Sequence, residues 1–209
     1  MKNTGGSVEI SVHGLTCRRG GRELFSGLEW QVSGGAVVTV RGPNGAGKTS
    51  LLRLLAGLAL PDAGEVRWAG TPIRADRARF NRDVAWVGHA DGVKADLSPR
   101  ENLAFHRALL AAPAASVDAA LDAFGLARAA DTPCRMLSAG QRRRTALARL
   151  LLAHAALWIL DEPMAALDAD GQQLVEALVV QHAADGGIAV VTSHQPLATT
   201  APGIQVALG

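Results

Sequence analysis

Residues 42–49 read Gly-Pro-Asn-Gly-Ala-Gly-Lys-Thr and fit the pattern G-x4-G-K-[ST]. A short apolar run, Ala36–Arg41, precedes them, and a segment suited to a helix, Ser50–Leu55, follows. Glycines let successive backbone N–H groups turn inward around an anion, and the helix N-terminus adds a partial positive charge. The stretch therefore predicts a phosphate-binding loop between a buried strand and a helix. Taken alone, it also fits a tight glycine-rich turn without a ligand.

The side chains of this loop carry specific expectations. Lys48 is expected to reach the β- and γ-phosphates of a nucleotide, and the Thr49 hydroxyl is expected to ligate magnesium. The candidate nucleotide-binding residues are Gly42, Pro43, Asn44, Gly45, Ala46, Gly47, Lys48, Thr49 and Ser50.

Two adjacent acids follow a second apolar run, Leu157–Leu160. This is the Walker B arrangement, in which Asp161 would hold the magnesium shell together with Thr49. Glu162 would orient and polarise the attacking water. A strand that ends in acids is common, so the pair gains its meaning only from the phosphate-binding loop.

Short apolar runs interleaved with helical patterns predict an α/β fold, a P-loop NTPase core with a mostly parallel sheet. An antiparallel β edge is expected beside it. The predicted buried strands are Ala36–Arg41, Leu157–Leu160 and Ile188–Ser193, with edge strands at Val8–Val12 and Glu65–Trp68 and a further strand at Asp83–Val87.

The segment of about residues 89–137 has a helical character and predicts an α-helical insert within one domain, 1–209. Ser98 and Glu101 have capping-box spacing with Pro99 between them, which predicts a helix through about Leu110. A second helix is predicted over Ser116–Phe124, closed by Gly125.

The composition excludes several classes of protein. With 21 basic and 19 acidic residues the net charge is +2, which gives no electrostatic case for nucleic-acid binding. Cys17 and Cys134 lack metal-ligand spacing. The polar N-terminus indicates no signal peptide. The most apolar stretch, Leu150–Leu160, has 11 residues, short of the roughly 20 that a membrane span needs. If the protein serves a membrane, another chain must therefore supply the membrane-spanning pore.

The segment Leu137–Gln141, Leu-Ser-Ala-Gly-Gln, resembles the signature of ABC nucleotide-binding domains, with Ala139 in place of a glycine. Capping-box spacing predicts that a helix starts at Ser138. The segment ends 20 residues before Asp161, the spacing that this family uses. The candidate signature residues are Ser138, Ala139, Gly140 and Gln141.

Two further positions resemble this family. Asp168, in Ala166–Asp168, matches the D-loop, and His194 follows an apolar strand as the family's switch histidine does. The resemblance implies a homodimer in which two copies pair head to tail around ATP. Ser138 and Gly140 would bind the γ-phosphate held by the partner copy. ATP and Mg²⁺ would be the cofactors, and Glu162 and His194 the catalytic residues.

His89 stands where the family usually has a glutamine that contacts magnesium. Because Mg²⁺ prefers oxygen, imidazole is a poor ligand. We expect His89 to act through a water or to sense the coupling helix of a membrane partner. Arg19 stands where the family stacks an aromatic ring on adenine. Its guanidinium plane could stack on a base or simply face solvent, so base selectivity could be relaxed.

Several stretches are similar to one branch of the family, the ATP-binding proteins of cytochrome c biogenesis, or CcmA family. They are Leu24–Leu28, Asn44–Thr49 with Leu51–Leu58, Pro61–Val66, Gly88-His89 with Gly92–Lys94, Leu137–Arg144 and Leu157–Pro163. Ala90 departs from the glutamine common there. The resemblance implies membrane subunits CcmB, CcmC and CcmD, ATP-driven release of the haem-loaded chaperone CcmE, and a peripheral position on the cytoplasmic side of the inner membrane.

Other functions stay open at this point. An ATPase of a lipid, lipoprotein or drug exporter would share the same chemistry. Soluble ABC proteins that act on ribosomes or DNA carry two cassettes or long insertions, which this chain lacks. In a P-loop small-molecule kinase, the signature helix and His194 would have no role.

The loop assignment predicts that Lys48→Ala loses nucleotide affinity, because the ammonium contact to the phosphates is removed. Direct measurement of ATP binding checks this. Unchanged binding would contradict the phosphate-loop interpretation.

Overall fold

The computed structural model describes residues 8–110, 113–193 and 201–209. These residues form two sheets and six α-helices. The strands are β1 (Glu9–Arg19), β2 (Arg22–Ser33), β3 (Val37–Arg41), β4 (Ala63–Trp68), β5 (Thr71–Pro72), β6 (Val84–Val87), β7 (Leu157–Leu160), β8 (Ile188–Thr192) and β9 (Gly203–Ala207). The helices are α1 (Lys48–Leu55), α2 (Arg77–Asp83), α3 (Pro99–Ala108), α4 (Val117–Ala123), α5 (Ala139–Ala148) and α6 (Ala169–Ala184).

The central sheet has five strands in the order β6-β7-β8-β3-β9, and neighbouring strands pair in parallel. Strands β7 and β8 are buried along their whole length, which explains their continuous apolar sequences. Val40 pairs with Thr192, and Leu160 with Val191. The carboxyl ends of β3, β7 and β8 therefore meet at one edge of the sheet.

The second sheet has four antiparallel strands in the order β2-β1-β4-β5. It confirms the predicted antiparallel edge, but β1 continues to Arg19, well past the predicted end at Val12. Register shifts interrupt the pairing of β1 with β2 between Val12 and Leu15 and again up to Arg18. These irregularities break the alternation of polar and apolar residues. The strand predicted from that alternation therefore ended at Val12, although β1 continues to Arg19.

The two faces of the central sheet bury separate cores. Val38 and Val40 pack towards α1 and the antiparallel sheet, together with Leu51 and Leu55. Val37 lies on the other face, in the core that includes α6 and the helical segment. Successive residues of a strand point to opposite faces, so a strand covered on both sides is apolar throughout.

The segment between β6 and β7 is helical, as predicted. The Ser98 hydroxyl accepts from the Glu101 N–H at 3.2 Å, and the Glu101 carboxylate accepts from the Ser98 N–H at 2.8 Å, which confirms the capping box. Helix α3 ends at Ala108, two residues before the predicted end at Leu110. Helix α4 is capped by Ser116 as expected. The assignment of the whole chain to one domain stays a prediction.

Asn102 on α3 holds the loop that precedes this helix. Its carboxamide oxygen accepts from the Lys94 N–H at 2.8 Å. Its Nδ2 donates to the carbonyl oxygens of Lys94 (3.1 Å), Leu97 (3.2 Å) and Ser98 (3.0 Å) and contacts Cys134 Sγ (3.4 Å). Asn102 is 8% exposed, so its carboxamide depends on these partners for its hydrogen bonds.

We predict that Asn102→Ala lowers the free energy of unfolding by about 2–3 kcal/mol, because several buried polar groups lose their partner. Urea unfolding followed by circular dichroism measures this. Arg107→Ala on the exposed face of α3 is the control, expected to change stability by less than about 0.5 kcal/mol. Equal effects of the two substitutions would contradict the role of Asn102.

Candidate nucleotide-binding site

The glycine-rich loop lies between β3 and α1, where the sequence placed it. Gly47 caps α1 with φ 98° and ψ 13°, a left-handed conformation that favours glycine. A Cβ on Gly47 would approach the Leu24 side chain to 3.0 Å. Helix α1 begins at Lys48, two residues before the predicted start at Ser50, so the backbone of Lys48 and Thr49 already forms the helix N-terminus.

Lys48 is held inside its own loop. Its Nζ donates to the carbonyl oxygens of Gly42 at 2.8 Å and Pro43 at 3.2 Å. The residue is only 8% exposed. These two carbonyl oxygens hold the ammonium group beside the loop. Lys48 also lines the adjoining cavity, so its positive charge can contact an anion bound there.

The Asp161 carboxylate connects the loop to two strands. Its Oδ2 accepts from the Thr49 hydroxyl at 2.7 Å, and its Oδ1 accepts from the Thr192 hydroxyl at 2.8 Å. Asp161 is 1% exposed and follows β7 directly. Each carboxylate oxygen therefore has a hydroxyl donor, one from α1 and one from the end of β8.

The oxygens of Thr49 and Asp161 form a donor set that suits Mg²⁺. This hard cation typically takes one or two protein oxygens and completes its octahedron with phosphates and waters. Within the described part of the chain, no group of three or more His, Cys, Asp or Glu residues could hold a metal by itself.

Glu162 adopts a left-handed backbone conformation, with φ 49°. Such a conformation costs a non-glycine residue roughly 1–2 kcal/mol and is often retained at functional sites. The Glu162 N–H donates to the Thr192 hydroxyl at 2.7 Å. The His89 Nδ1 lies 3.6 Å from Glu162 Oε2, so the structure brings these two predicted residues together. The His89 side chain is 71% exposed.

A cavity of about 380 Å³ opens between the loop and these side chains. Its walls combine the ammonium of Lys48, the carboxylate of Glu162 and the His89 ring. The lining residues are Leu24, Asn44, Gly45, Gly47, Lys48, Thr49, Ser50, His89 and Glu162.

The predicted signature segment caps α5. The Ser138 hydroxyl accepts from the Gln141 N–H at 3.1 Å, and Gln141 Oε1 accepts from the Ser138 N–H at 3.0 Å. Ser138 and Ala139 are exposed, and neither is among the described residues that line the cavity. A Cβ on Gly140 would come within 2.9 Å of the Ala166 carbonyl oxygen, so this glycine permits close approach to the predicted D-loop.

Asp168 caps α6, because its Oδ1 accepts from the Gly171 N–H at 3.0 Å. The Arg144 guanidinium beside it, and then the Gly171 N–H, hold the pKa of the Asp168 carboxyl below its usual value. Arg144 also donates to the Phe124 carbonyl at 3.3 Å. The helix after the signature thus links α4 to the start of α6.

The predicted roles of two residues, His194 and Arg19, stay predictions. His194 falls outside the described residues. Arg19 donates to the Arg18 carbonyl at 2.7 Å and to the Leu60 carbonyl at 3.4 Å, and it lies 3.6 Å from Asp62. It is not among the described lining residues of the cavity, and base stacking by Arg19 stays a prediction.

Two residues of this site, Thr192 and Arg143, were not among the predicted site residues. Thr192 was part of a predicted strand, but its hydroxyl reaches both Asp161 and the Glu162 N–H. Arg143 lies in the first turns of α5, where the helix dipole favours acids rather than bases. A basic residue at this helix position was the sequence signal that could have identified it. In the structure Arg143 is 2% exposed and donates to the carbonyl oxygens of Asp161 and Glu162. Burial is the main cause that lowers the pKa of its guanidinium, while Asp91 acts in the opposite direction.

Comparison with known proteins identifies the family. The ABC transporter family matches residues 25–165 of the chain. The "Cytochrome c biogenesis ATP-binding export protein CcmA" of Methylococcus capsulatus is 52% identical over 190 residues, covering 90% of this chain and 92% of that protein. The protein of the same name from Yersinia pseudotuberculosis is 48% identical over 189 residues, covering 90% and 87%. This chain belongs to the CcmA family of ABC transporter ATP-binding proteins.

A solved structure supports the fold independently. A putative ABC transporter ATP-binding protein from Pyrococcus furiosus superposes with a TM-score of 0.81, covering 95% of this chain and 97% of that chain at 23% identity. The predicted α/β core with an antiparallel edge is therefore confirmed. The family match also confirms that the protein binds and hydrolyses ATP.

We predict that Thr192→Val lowers the free energy of unfolding by about 1–3 kcal/mol, because the Glu162 N–H and an Asp161 oxygen lose their buried partner. It should also slow ATP turnover, since both acids lose an anchor. Thr39→Val on the neighbouring strand β3 is the matched control and should be nearly neutral. If Thr192→Val were as stable and active as the control, the hydroxyl would not organise the acids.

Proposed function

We propose that this chain is the ATP-hydrolysing subunit of an ABC complex that serves cytochrome c maturation by haem export. The observation that carries the chemistry is the 2.7 Å hydrogen bond from Thr49 to Asp161, with Glu162 facing the same cavity. The haem-related role is supported by CcmA relatives that are 48–52% identical over 90% of this chain.

Each side chain of the cavity has a separate task in this proposal. Lys48 and the loop N–H groups bind the β- and γ-phosphates of ATP. Glu162 orients a water for in-line attack on the γ-phosphorus and takes up its proton. His194 contacts the γ-phosphate. His89, 3.6 Å from Glu162, acts through a water or senses the coupling helix of the membrane partner, and it is not a metal ligand.

The residues that would hold Mg²⁺ are Thr49 and Asp161. When bound, the ion neutralises charge on the β- and γ-phosphate oxygens. The short Thr49–Asp161 contact keeps both oxygens on the same side of the loop.

The active form is a homodimer. Ser138 and Ala139 at the N-terminus of α5 are exposed, and residues 138–141 are not among the described residues that line the cavity. Free N–H groups at a helix start bind anions. In the dimer this end of α5 contacts the γ-phosphate of the ATP bound by the partner copy, with Asp168 in the adjoining D-loop.

The proposed partners supply the membrane-spanning part. No helix within the described ranges is long and apolar enough to cross a bilayer. Two copies of this chain bind the membrane subunit CcmB on the cytoplasmic side of the inner membrane, alongside CcmC and CcmD. ATP hydrolysis then releases the haem-loaded chaperone CcmE on the opposite side.

We predict that Glu162→Gln retains ATP binding but abolishes steady-state turnover and leaves only slow residual hydrolysis in a single turnover, because the amide cannot accept a proton from water. Phosphate release and ATP binding are measured in parallel, and the variant should accumulate as an ATP-bound dimer in size-exclusion chromatography. Glu29→Gln, an exposed position on β2, is the control. Wild-type turnover by Glu162→Gln would rule out its role as the base.

The cytochrome role predicts specific partners for the tagged protein purified from its native membranes. CcmB-like and CcmC-like chains should co-purify, and added ATP should release a haem-loaded chaperone, followed by haem absorbance. The Glu162→Gln complex should contain the same chains but release no haem. Recovery of a lipid, lipoprotein or drug permease without haem would keep the ATPase assignment and contradict the cargo.

A further inference from the structure

A buried arginine that has no part in the chemistry above joins three segments around Glu162. Arg143 lies on α5 and is 2% exposed. Its guanidinium makes five contacts, with Nη1 donating to Gly88 O (2.7 Å) and Asp91 Oδ1 (3.3 Å), Nη2 to Asp161 O and Glu162 O (2.8 Å each), and Nε to Pro163 O (3.3 Å).

One of these contacts is made to Glu162, a residue with a strained backbone conformation. Glu162 has φ 49°, and its N–H is held by the Thr192 hydroxyl at 2.7 Å. Arg143 holds the carbonyl of the same residue at 2.8 Å. The backbone of Glu162 is thus fixed on both sides, which is the condition under which a left-handed glutamate persists.

The same guanidinium also fixes the segment that carries His89. Its Nη1 donates to the carbonyl oxygen of Gly88, one residue before His89, and to the carboxylate of Asp91, two residues after it. His89 and Glu162 face each other across the cavity at 3.6 Å. One planar group therefore contacts both the segment that carries His89 and the backbone of Glu162.

Only arginine has the donors for this arrangement. A guanidinium carries five N–H groups in a rigid plane, whereas the lysine ammonium has three donors on a flexible stem. The one acidic side chain among its contacts is Asp91, and the other four acceptors are neutral carbonyls. A buried cation surrounded mainly by carbonyls is a costly way to stabilise a fold but an effective way to define backbone positions.

We propose that Arg143 is a positioning residue for ATP hydrolysis. It holds the Glu162 backbone so that the carboxylate faces the P-loop cavity, and it ties that position to the helix α5 that starts at the signature segment. The inference rests on the proposed function of Glu162. It assigns to the second arginine after Gln141 a role in turnover rather than in nucleotide binding.

The test is Arg143→Lys in the complex purified with its membrane partners, assayed for steady-state phosphate release and for ATP affinity. The turnover number should fall on the order of 10- to 100-fold, because displacement of a catalytic group by about 1 Å has effects of this size. The dissociation constant for ATP should stay within about twofold of wild type, since the P-loop is untouched. Arg128→Lys, at an exposed arginine, is the matched control with wild-type kinetics.

A double-variant comparison separates positioning from a general loss of structure. Combined with Glu162→Gln, Arg143→Lys should lower the residual single-turnover rate by less than about twofold, because the group that it positions is already disabled. A further 10- to 100-fold fall of the single-turnover rate in the double variant would overturn the proposal. A loss of ATP affinity that parallels the loss of turnover in Arg143→Lys would overturn it as well. A wild-type turnover number for Arg143→Lys would overturn it too.

Asp91→Asn provides a second variant if Arg143→Lys does not fold. It weakens one contact of the guanidinium without altering α5 or the acids. The turnover number should fall by about threefold to tenfold with unchanged ATP affinity. When Asp91→Asn is combined with Glu162→Gln, it should cause no further fall in the residual rate. An unaltered turnover number would contradict the proposal. Failure of the proposed function gives a different result, in which the wild-type complex itself does not hydrolyse ATP or Glu162→Gln is fully active.

Discussion

The site depends on the two hydrogen bonds that the buried Asp161 carboxylate accepts. A buried acid is stable only when its oxygens are hydrogen-bonded, and here each accepts from a different threonine hydroxyl. Thr49 belongs to the first turn of α1, and Thr192 ends β8. The carboxylate therefore joins the phosphate loop to the edge of the parallel sheet. Parallel pairing makes this possible, because the carboxyl ends of adjacent strands lie side by side.

From this point the site extends outward through backbone contacts. Thr192 also accepts from the Glu162 N–H, and Arg143 donates to the carbonyl oxygens of Asp161 and Glu162. The acid that would hold the metal and the acid that would activate water are thus fixed by the same neighbours. Gly140 permits the start of α5 to lie against Ala166, so the predicted signature segment and the predicted D-loop are in contact. A surface that includes both segments is suited to contact a second copy of the chain as a unit.

The sequence predicted the parts of the fold in which one physical signal dominates. Strands β7 and β8 are buried on both faces and read as continuous apolar runs, and the capping boxes at Ser98 and Ser138 gave two helix starts. The phosphate loop followed from its glycines and Lys48. These signals are local, and short-range chemistry determines them.

Other parts depend on contacts between distant segments and carried no comparable signal. Strand β2 is mostly exposed and pairs irregularly with β1, so its residues show no clean alternation. Helix α6 buries Val175, Val179 and Ala183 on one side, but its remaining apolar residues blur the helical period. The role of Thr192 appears only when β7 and β8 are adjacent, and the role of Arg143 only when α5 packs against both acids.

The central claim is that the oxygens of Thr49 and Asp161 define a metal–nucleotide site beside Glu162, with His89 outside the coordination shell. The most direct measurement is a crystal structure of the Glu162→Gln protein with ATP and Mn²⁺, in which anomalous scattering locates the metal. The account predicts a metal peak coordinated by the Thr49 hydroxyl on the Asp161 side of the loop, with only oxygen ligands. A peak bound to a His89 nitrogen, or one remote from Thr49 and Asp161, would contradict it.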